Sequence, residues 1–165
     1  MNKTLNIGVT GHRDIIVTEQ LKEDLKSFFK KVKEEHGEVK LLSPLADGAD
    51  RLVANIYLEV FKNKAHLIVP MPFSKERYMK DFDNKSKEEF LEYLKMADEV
   101  FEVKNSEGCN YKSVGVYVAN NSDILLALWD GTFNNKSGGT GDIVQYARER
   151  DKRVVHFLCD RGSLI

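Results

Sequence analysis

Short apolar runs alternate with helix-period segments along the whole chain, the pattern of strands separated by crossover helices in an α/β sheet. "TLNIGV" predicts the first strand. From Leu21 the apolar positions Leu21, Leu25, Phe28, Phe29 and Val32 share one helical face, lysines and glutamates take the other, and His36-Gly37 close the helix. "EVKLLS" predicts a second strand, Leu52, Val53, Ile56 and Val60 one face of the next helix, and "AHLIVP" a third strand that stops at Pro70. Ser86 followed by Glu89 matches a capping box opening a helix through Phe90, Leu91, Leu94 and Ala97. "EVFEV" predicts a short strand, "NSEGCNYKS" a loop and "VGVYVANNS" a short helix. "DILLALW" is the most continuous apolar run and predicts a central strand covered on both faces. A glycine-rich loop, a helix carrying Ile143, Val144 and Ala147, and a last strand "RVVHFL" complete the pattern. The expected fold is α/β: one doubly wound, mostly parallel sheet of about six strands with helices on both faces. A single domain spanning 1–165 is expected, since this length can bury a core without metals or disulfides.

Composition narrows the function classes. Hydrophobic residues make up 42% and charged residues 31%, as in a folded, water-soluble chain. With 25 basic against 26 acidic side chains, the net charge of -1 argues against general nucleic-acid binding, which normally needs a basic excess on one face. Cys109 and Cys159 form no pairing framework and have no zinc-ligand spacing, so free thiols in a reducing cytosol are expected, with no metal and no cofactor. No segment approaches a membrane span and the N-terminal apolar run is too short for a signal peptide, so the chain is expected to be cytoplasmic and off the membrane.

In doubly wound sheets ligands bind beyond the carboxyl ends of the strands, where the strand order reverses. Three loops that would follow strands carry glycine, hydroxyl and charged residues: "TGHRD", "SPLADGADR" and "WDGTFNNKSGGTGD". In the last, Gly138, Gly139 and Gly141 remove the Cβ atoms that would hold a phosphate away from backbone N–H groups, Thr140 adds a hydroxyl, and the following helix presents its positive end. The same glycines also suit a plain tight connection. Asp142 competes with a phosphate unless it faces a ribose hydroxyl or caps the helix. In "TGHRD", Thr10 and Gly11 make a close-approach turn, Arg13 offers a fork for phosphate or carboxylate, and His12 can contact the same anion or transfer a proton. Around Gly48, Asp47 has a turn role or a ligand role and Asp50 caps the next helix or faces a ligand. Arg51 sits badly for the helix dipole, so a bound anion or a partner carboxylate explains it better. Trp129 and Phe73 offer rings for a base or for the core, and Tyr78, Tyr111 and Tyr117 lie on candidate mobile segments.

Taken together and in order, "GVTGHRD", "SPLADGADRLVA", "VPMPF", "DILLALWDG" and "GGTGDIVQYAR" resemble the SLOG superfamily, the Rossmann-like group that includes the LOG cytokinin-activating phosphoribohydrolases. The resemblance implies a Rossmann-like fold, a pocket for a nucleotide or nucleotide-derived signal, a role as sensor or N-glycosidic hydrolase, in some members within antiviral signalling, and a homodimer or higher homo-oligomer. LOG enzymes carry a PGGxGTxxE motif with a catalytic glutamate; alignment with "SGGTGDIVQ" puts Gln145 at that position. Phosphate binding thus carries over to Gly138, Gly139 and Gly141, and LOG-type hydrolysis does not. The expectation is a binding module for a nucleotide-derived small molecule. The alternative is an N-glycosidase using Asp142, Asp50 or Asp47.

Overall fold

The computed structural model describes residues 4–162. In chain order it contains β1 (Thr4–Gly11), α1 (Glu19–Glu35), β2 (Glu38–Leu42), α2 (Ala49–Phe61), β3 (Leu67–Met71), α3 (Lys75–Met79) and α4 (Asn84–Met96). β4 (Glu99–Glu102), α5 (Asn110–Asn120), β5 (Ile124–Trp129), α6 (Thr140–Glu149) and β6 (Arg153–Leu158) follow. The strands form one sheet in the order β4-β3-β2-β1-β5-β6, with every neighbouring pair parallel. This is a Rossmann-like α/β arrangement. Among the described residues no helix is long and apolar enough to cross a membrane.

Strand parity divides the core between the two faces of the sheet. Leu5, Ile7 and Val9 of β1, Val39 and Leu41 of β2, and Leu126 and Leu128 of β5 meet the apolar faces of α1, α2 and α4, including Leu25, Phe29, Tyr57 and Phe90. Leu42 and Leu125 face the other way, against Val114, Val118, Ile143 and Ala147 of α5 and α6. β1 to β4 progress in one direction and β4 to β6 return in the other; right-handed crossovers therefore place the two helix sets on opposite faces. The order reverses between β1 and β5, whose register runs Ile7↔Ile124 to Gly11↔Leu128.

Local chemistry accounts for the element ends. Thr18 caps α1 by accepting the Leu21 N–H at 3.1 Å, and the helix stops at His36 in an extended conformation. β3 runs through Pro70 rather than stopping there. Even-numbered residues of β3 face β2, where the His66 carbonyl accepts from Leu41 N–H at 3.0 Å and the Ile68 carbonyl from Ser43 N–H at 2.9 Å. β2 ends at Leu42, so the N–H that proline lacks falls where no strand waits for it. On the β4 side the ladder continues to Met71, which accepts from Val103 N–H at 2.8 Å.

Two helices start earlier than the sequence pattern indicates. α4 is capped by Asp83, which accepts the Ser86 N–H at 2.8 Å, and Ser86 and Glu89 lie inside the helix with their side chains on Arg51. α5 takes up half of the expected "NSEGCNYKS" loop, because the Ser113 hydroxyl accepts from the Ser106 and Glu107 N–H groups and folds the chain into its first turn.

Gly48, at the N-cap of α2, has φ +82°. A Cβ there would lie 2.3 Å from the Arg13 carbonyl oxygen. Gly48→Ala is therefore expected to destabilise the protein by about 2 kcal/mol or more, from positive-φ strain plus backbone collision. Urea unfolding measures this, and an unchanged midpoint would mean that the Arg13 turn moves aside freely.

Candidate functional site

Where the strand order reverses, the loops that leave the carboxyl ends of β1 and β5 border a cleft of about 260 Å³. β1 and the loop after it deliver Thr10, Gly11, His12 and Arg13 to its wall, α2 delivers Asp50, and the loop before α6 together with the first turn of that helix delivers Lys136 and Gly138 to Gly141. Val114, Gly115, Val118 and Ile143 supply an apolar floor between α5 and α6. All three polar loops singled out in the sequence border this space, although not every residue in them faces it.

The glycine loop is organised from within. Gly138 has φ +78°, and its N–H donates to Asp142 Oδ2 at 2.8 Å, while Gly139 N–H donates to the Lys136 carbonyl at 3.0 Å. Asp142 also pairs with Lys112 Nζ at 3.5 Å and lines a separate depression on the far side of the loop, together with Gln145. Two of the N–H groups expected to cradle an anion are thus already satisfied. The donors that remain are those of the first turn of α6, which begins at Thr140 and opens on the cleft; first-turn N–H groups have no intrahelical acceptor and carry the positive end of the helix dipole.

His12 is buried and acts as a tether between β1 and the β5–α6 loop. Its Nε2 accepts the Asp130 N–H at 3.2 Å and lies 3.3 Å from Asp130 Oδ1, and its Nδ1 stands 3.5 Å from Thr140 Oγ1. Burial, and then the Arg161 guanidinium, hold the imidazole below its ordinary pKa, so it is neutral at neutral pH. Trp129, read as a base platform or a core ring, is core: it is buried with Ala127 and Val144 and donates Nε1–H to the Thr132 carbonyl at 3.0 Å. It braces the loop from beneath.

The three carboxylates of interest separate cleanly. Asp47 faces away from the cleft, accepting from the Ser86 hydroxyl and pairing with Arg51 at 3.2 Å. Arg51 is a structural cation: Nε donates to the Leu45 carbonyl at 2.9 Å, Nη1 reaches Ser86 and Glu89, and the guanidinium stacks 4.6 Å from the Phe82 ring centre. Its explanation is the partner carboxylate rather than a bound anion, and its place outside the cleft removes it from the ligand set. Asp50 is the exception. It is buried, lines the cleft, and among the described residues only the Ala46 N–H donates to its carboxyl, at 3.1 Å. Burial pushes this acid up to about 7, against partial relief from the Ala46 N–H, Arg13 and Arg51.

Cations complete the lining of the cleft: Arg13, named from the sequence, and Lys136 and Arg161, which sequence reasoning missed. Arg13 stands at the mouth, 43% exposed, near Asp81 at 4.0 Å and over the Tyr111 ring. Lys136 sits two residues before the glycines and lines the cleft; its position in that loop was a readable signal. Arg161 lines it too, held by Asp14 at 2.9 Å and by a backbone bridge from Ile15 to Arg161 that folds the C-terminal segment onto the β1–α1 loop. Nothing in the local sequence marks it. Tyr111 reaches the rim and donates to Asp81, whereas Tyr117 lies outside the cleft on Phe101. Cys109 and Cys159 are both unpaired thiols, and among the described residues no group of three or more potential metal ligands is clustered.

No protein-family model matches the chain, and no curated protein matches it significantly. Among solved structures it is similar to DNA processing protein A from Helicobacter pylori, a structure described for its single-stranded DNA binding mode, with a TM-score of 0.59 and 17% identity. The alignment covers 92% of this chain and 64% of that one, so this chain spans less than two thirds of its neighbour. At this identity the likeness shows the shared fold. It also corrects the partner expectation drawn from a net charge of -1, a small molecule and no general nucleic-acid binding: the neighbour is a single-stranded DNA-binding protein, so overall charge does not exclude that partner class here.

The geometry of Asp50 has a consequence for stability. An acid whose pKa is higher folded than unfolded favours folding at low pH and loses that contribution as pH rises from its ordinary value of 3.8 to about 7. Asp50→Asn removes the titration. The variant is expected to gain stability over the parent as pH rises, by a few kcal/mol on the order of magnitude above pH 7, with the gain smallest near pH 4. Thermal unfolding of both proteins across that range measures it; a difference that does not change with pH would contradict a buried acid.

Proposed function

We propose that the cleft is a recognition site for a nucleotide phosphate. The observation that carries this reading is the convergence of the α6 N-terminus with Arg13, Lys136 and Arg161 at the reversal between β1 and β5. A helix N-terminus and fixed cations attract the same anion, and the apolar floor of Val114, Val118 and Ile143 suits the less polar part of the ligand. The motifs that resemble SLOG domains border this cleft, which favours a nucleotide over a bare inorganic anion. The module would capture its ligand for sensing or sequestration. The phosphate belongs either to a free nucleotide or to a single strand, the second supported by the shared fold with a single-stranded DNA-binding protein.

Calorimetric titration with a mononucleotide, a dinucleoside monophosphate and a single-stranded oligonucleotide separates these sources. Arg13→Ala and Lys136→Ala are each expected to weaken binding roughly tenfold, the usual effect of losing one charge-assisted hydrogen bond at a partly exposed site. The reading fails if none of the three ligands binds, or if both variants bind as the parent does.

One observation favours hydrolysis as a second reading. Of the three candidate carboxylates only Asp50 lines the cleft, and its raised pKa suits an acid that protonates a departing base. Chromatographic detection of free base from a bound nucleotide, abolished in Asp50→Asn, would establish an N-glycosidase; ligand recovered intact would exclude it.

A further inference from the structure

We propose that Asp50 enters the ligand complex as the neutral acid, donating a hydrogen bond to a phosphate oxygen, so that capture of an anion in the cleft takes up one proton. This rests on the cleft being a nucleotide-phosphate site. Of the two roles the sequence left open for Asp50, a helix cap or a ligand contact, it takes the second, as donor rather than acceptor.

The arrangement around the carboxyl argues for the acid. Asp50 lies in the first turn of α2, buried at the wall of the cleft beside Thr10, Gly11 and Arg13. Among the described residues it receives one hydrogen bond, from Ala46 N–H to Oδ2. An ionised carboxylate accepts about four, so the charged form is poorly satisfied here, whereas the acid needs one acceptor for its O–H. The charged and titratable groups facing it come from three elements. Arg51, on α2 itself, is committed to Leu45, Ser86 and Glu89. Tyr78 of α3 donates to the Pro44 carbonyl at 2.9 Å. Arg13, from the β1–α1 loop, stands at the exposed mouth between Asp81 and Tyr111. None of them donates a hydrogen bond to the carboxyl. A phosphate bound in the same cleft adds a negative charge, which an ionised Asp50 would repel and a protonated Asp50 would bind. Burial already brings the free protein close to this condition at neutral pH.

The probe is a dinucleoside monophosphate, whose phosphodiester keeps one negative charge across the pH range, titrated calorimetrically from about pH 6 to about pH 9. His12, held below its ordinary pKa, stays neutral over most of this window. The dissociation constant is expected to rise towards tenfold per pH unit above about pH 7, the slope for one proton. Buffers of different ionisation enthalpy should report uptake approaching one proton there. Asp50→Asn should abolish the slope and bind more tightly than the parent at the alkaline end. A parent whose affinity is flat in pH with no proton uptake overturns the proposal. So does Asp50→Asn losing the dinucleotide while its thermal unfolding shows it folded, since that outcome assigns an ionised acceptor. If the parent binds and Arg13→Ala weakens it while the pH profile is flat, only the role of Asp50 falls; if the parent does not bind at any pH, the cleft reading falls with it. Longer single strands in the same titration assign the source: affinity that grows with length indicates a strand, and affinity that does not indicates a free nucleotide.

Discussion

The absence of a side chain at Gly11 is the constraint on which the site depends. A Cβ at this last residue of β1 would lie 2.3 Å from Ala49 Cβ and 2.9 Å from the Leu128 carbonyl oxygen. The chain therefore brings the end of β1, the end of β5 and the first turn of α2 into direct contact at one point. His12 N–H donates to Leu128 and Ala49 N–H donates to the His12 carbonyl, which locks the three together. Gly8 does the same on the opposite face, where a Cβ would collide with Ser122 and Val118, so α5 lies flat on β1. With those approaches fixed, the three polar loops open onto one space.

Electrostatically the cleft is asymmetric. Two of its acids are neutralised locally: Asp14 by Arg161, and Asp50 by burial rather than by a partner. Arg13 and Lys136 remain oriented towards the opening, and the first turn of α6 adds unpaired N–H donors. A chain of net charge -1 can thus hold an anion, because the local field rather than the total charge governs a site of this size. This is also why composition alone does not exclude nucleic acid as a partner class.

Where sequence reasoning went astray, a side chain had a choice between a local and a distant partner. Ser86 and Glu89 have the spacing of a capping box, yet both bind Arg51 across the α2–α4 contact, and Asp83 caps α4 instead. Arg51 left a bound anion and a partner carboxylate open, and Asp47 a turn role and a ligand role; the guanidinium pairs with Asp47 from the turn before α2 and with Glu89 of α4, so the partner carboxylate is what it finds. Pro70 reads as a stop because proline lacks a donor, and only the early end of β2 makes that donor unnecessary. Asp142 turns inward to close its own loop, a hydrogen bond that no spacing rule distinguishes from a bond to a ligand.

By itself the sequence determined the element types and the class of fold, because the alternation of apolar runs with helix-period faces is a local property that survives without knowing which strand neighbours which. It also located the three loops, since glycine at strand ends has a local steric meaning. Tertiary structure decided the rest. The order β4-β3-β2-β1-β5-β6 placed the reversal between β1 and β5, the return of the chain end supplied Arg161, and burial rather than residue type made Asp50 an acid near neutrality. Strand order, long-range ion pairs and desolvation all depend on residues far apart in sequence, and they become defined only when the sheet closes around them.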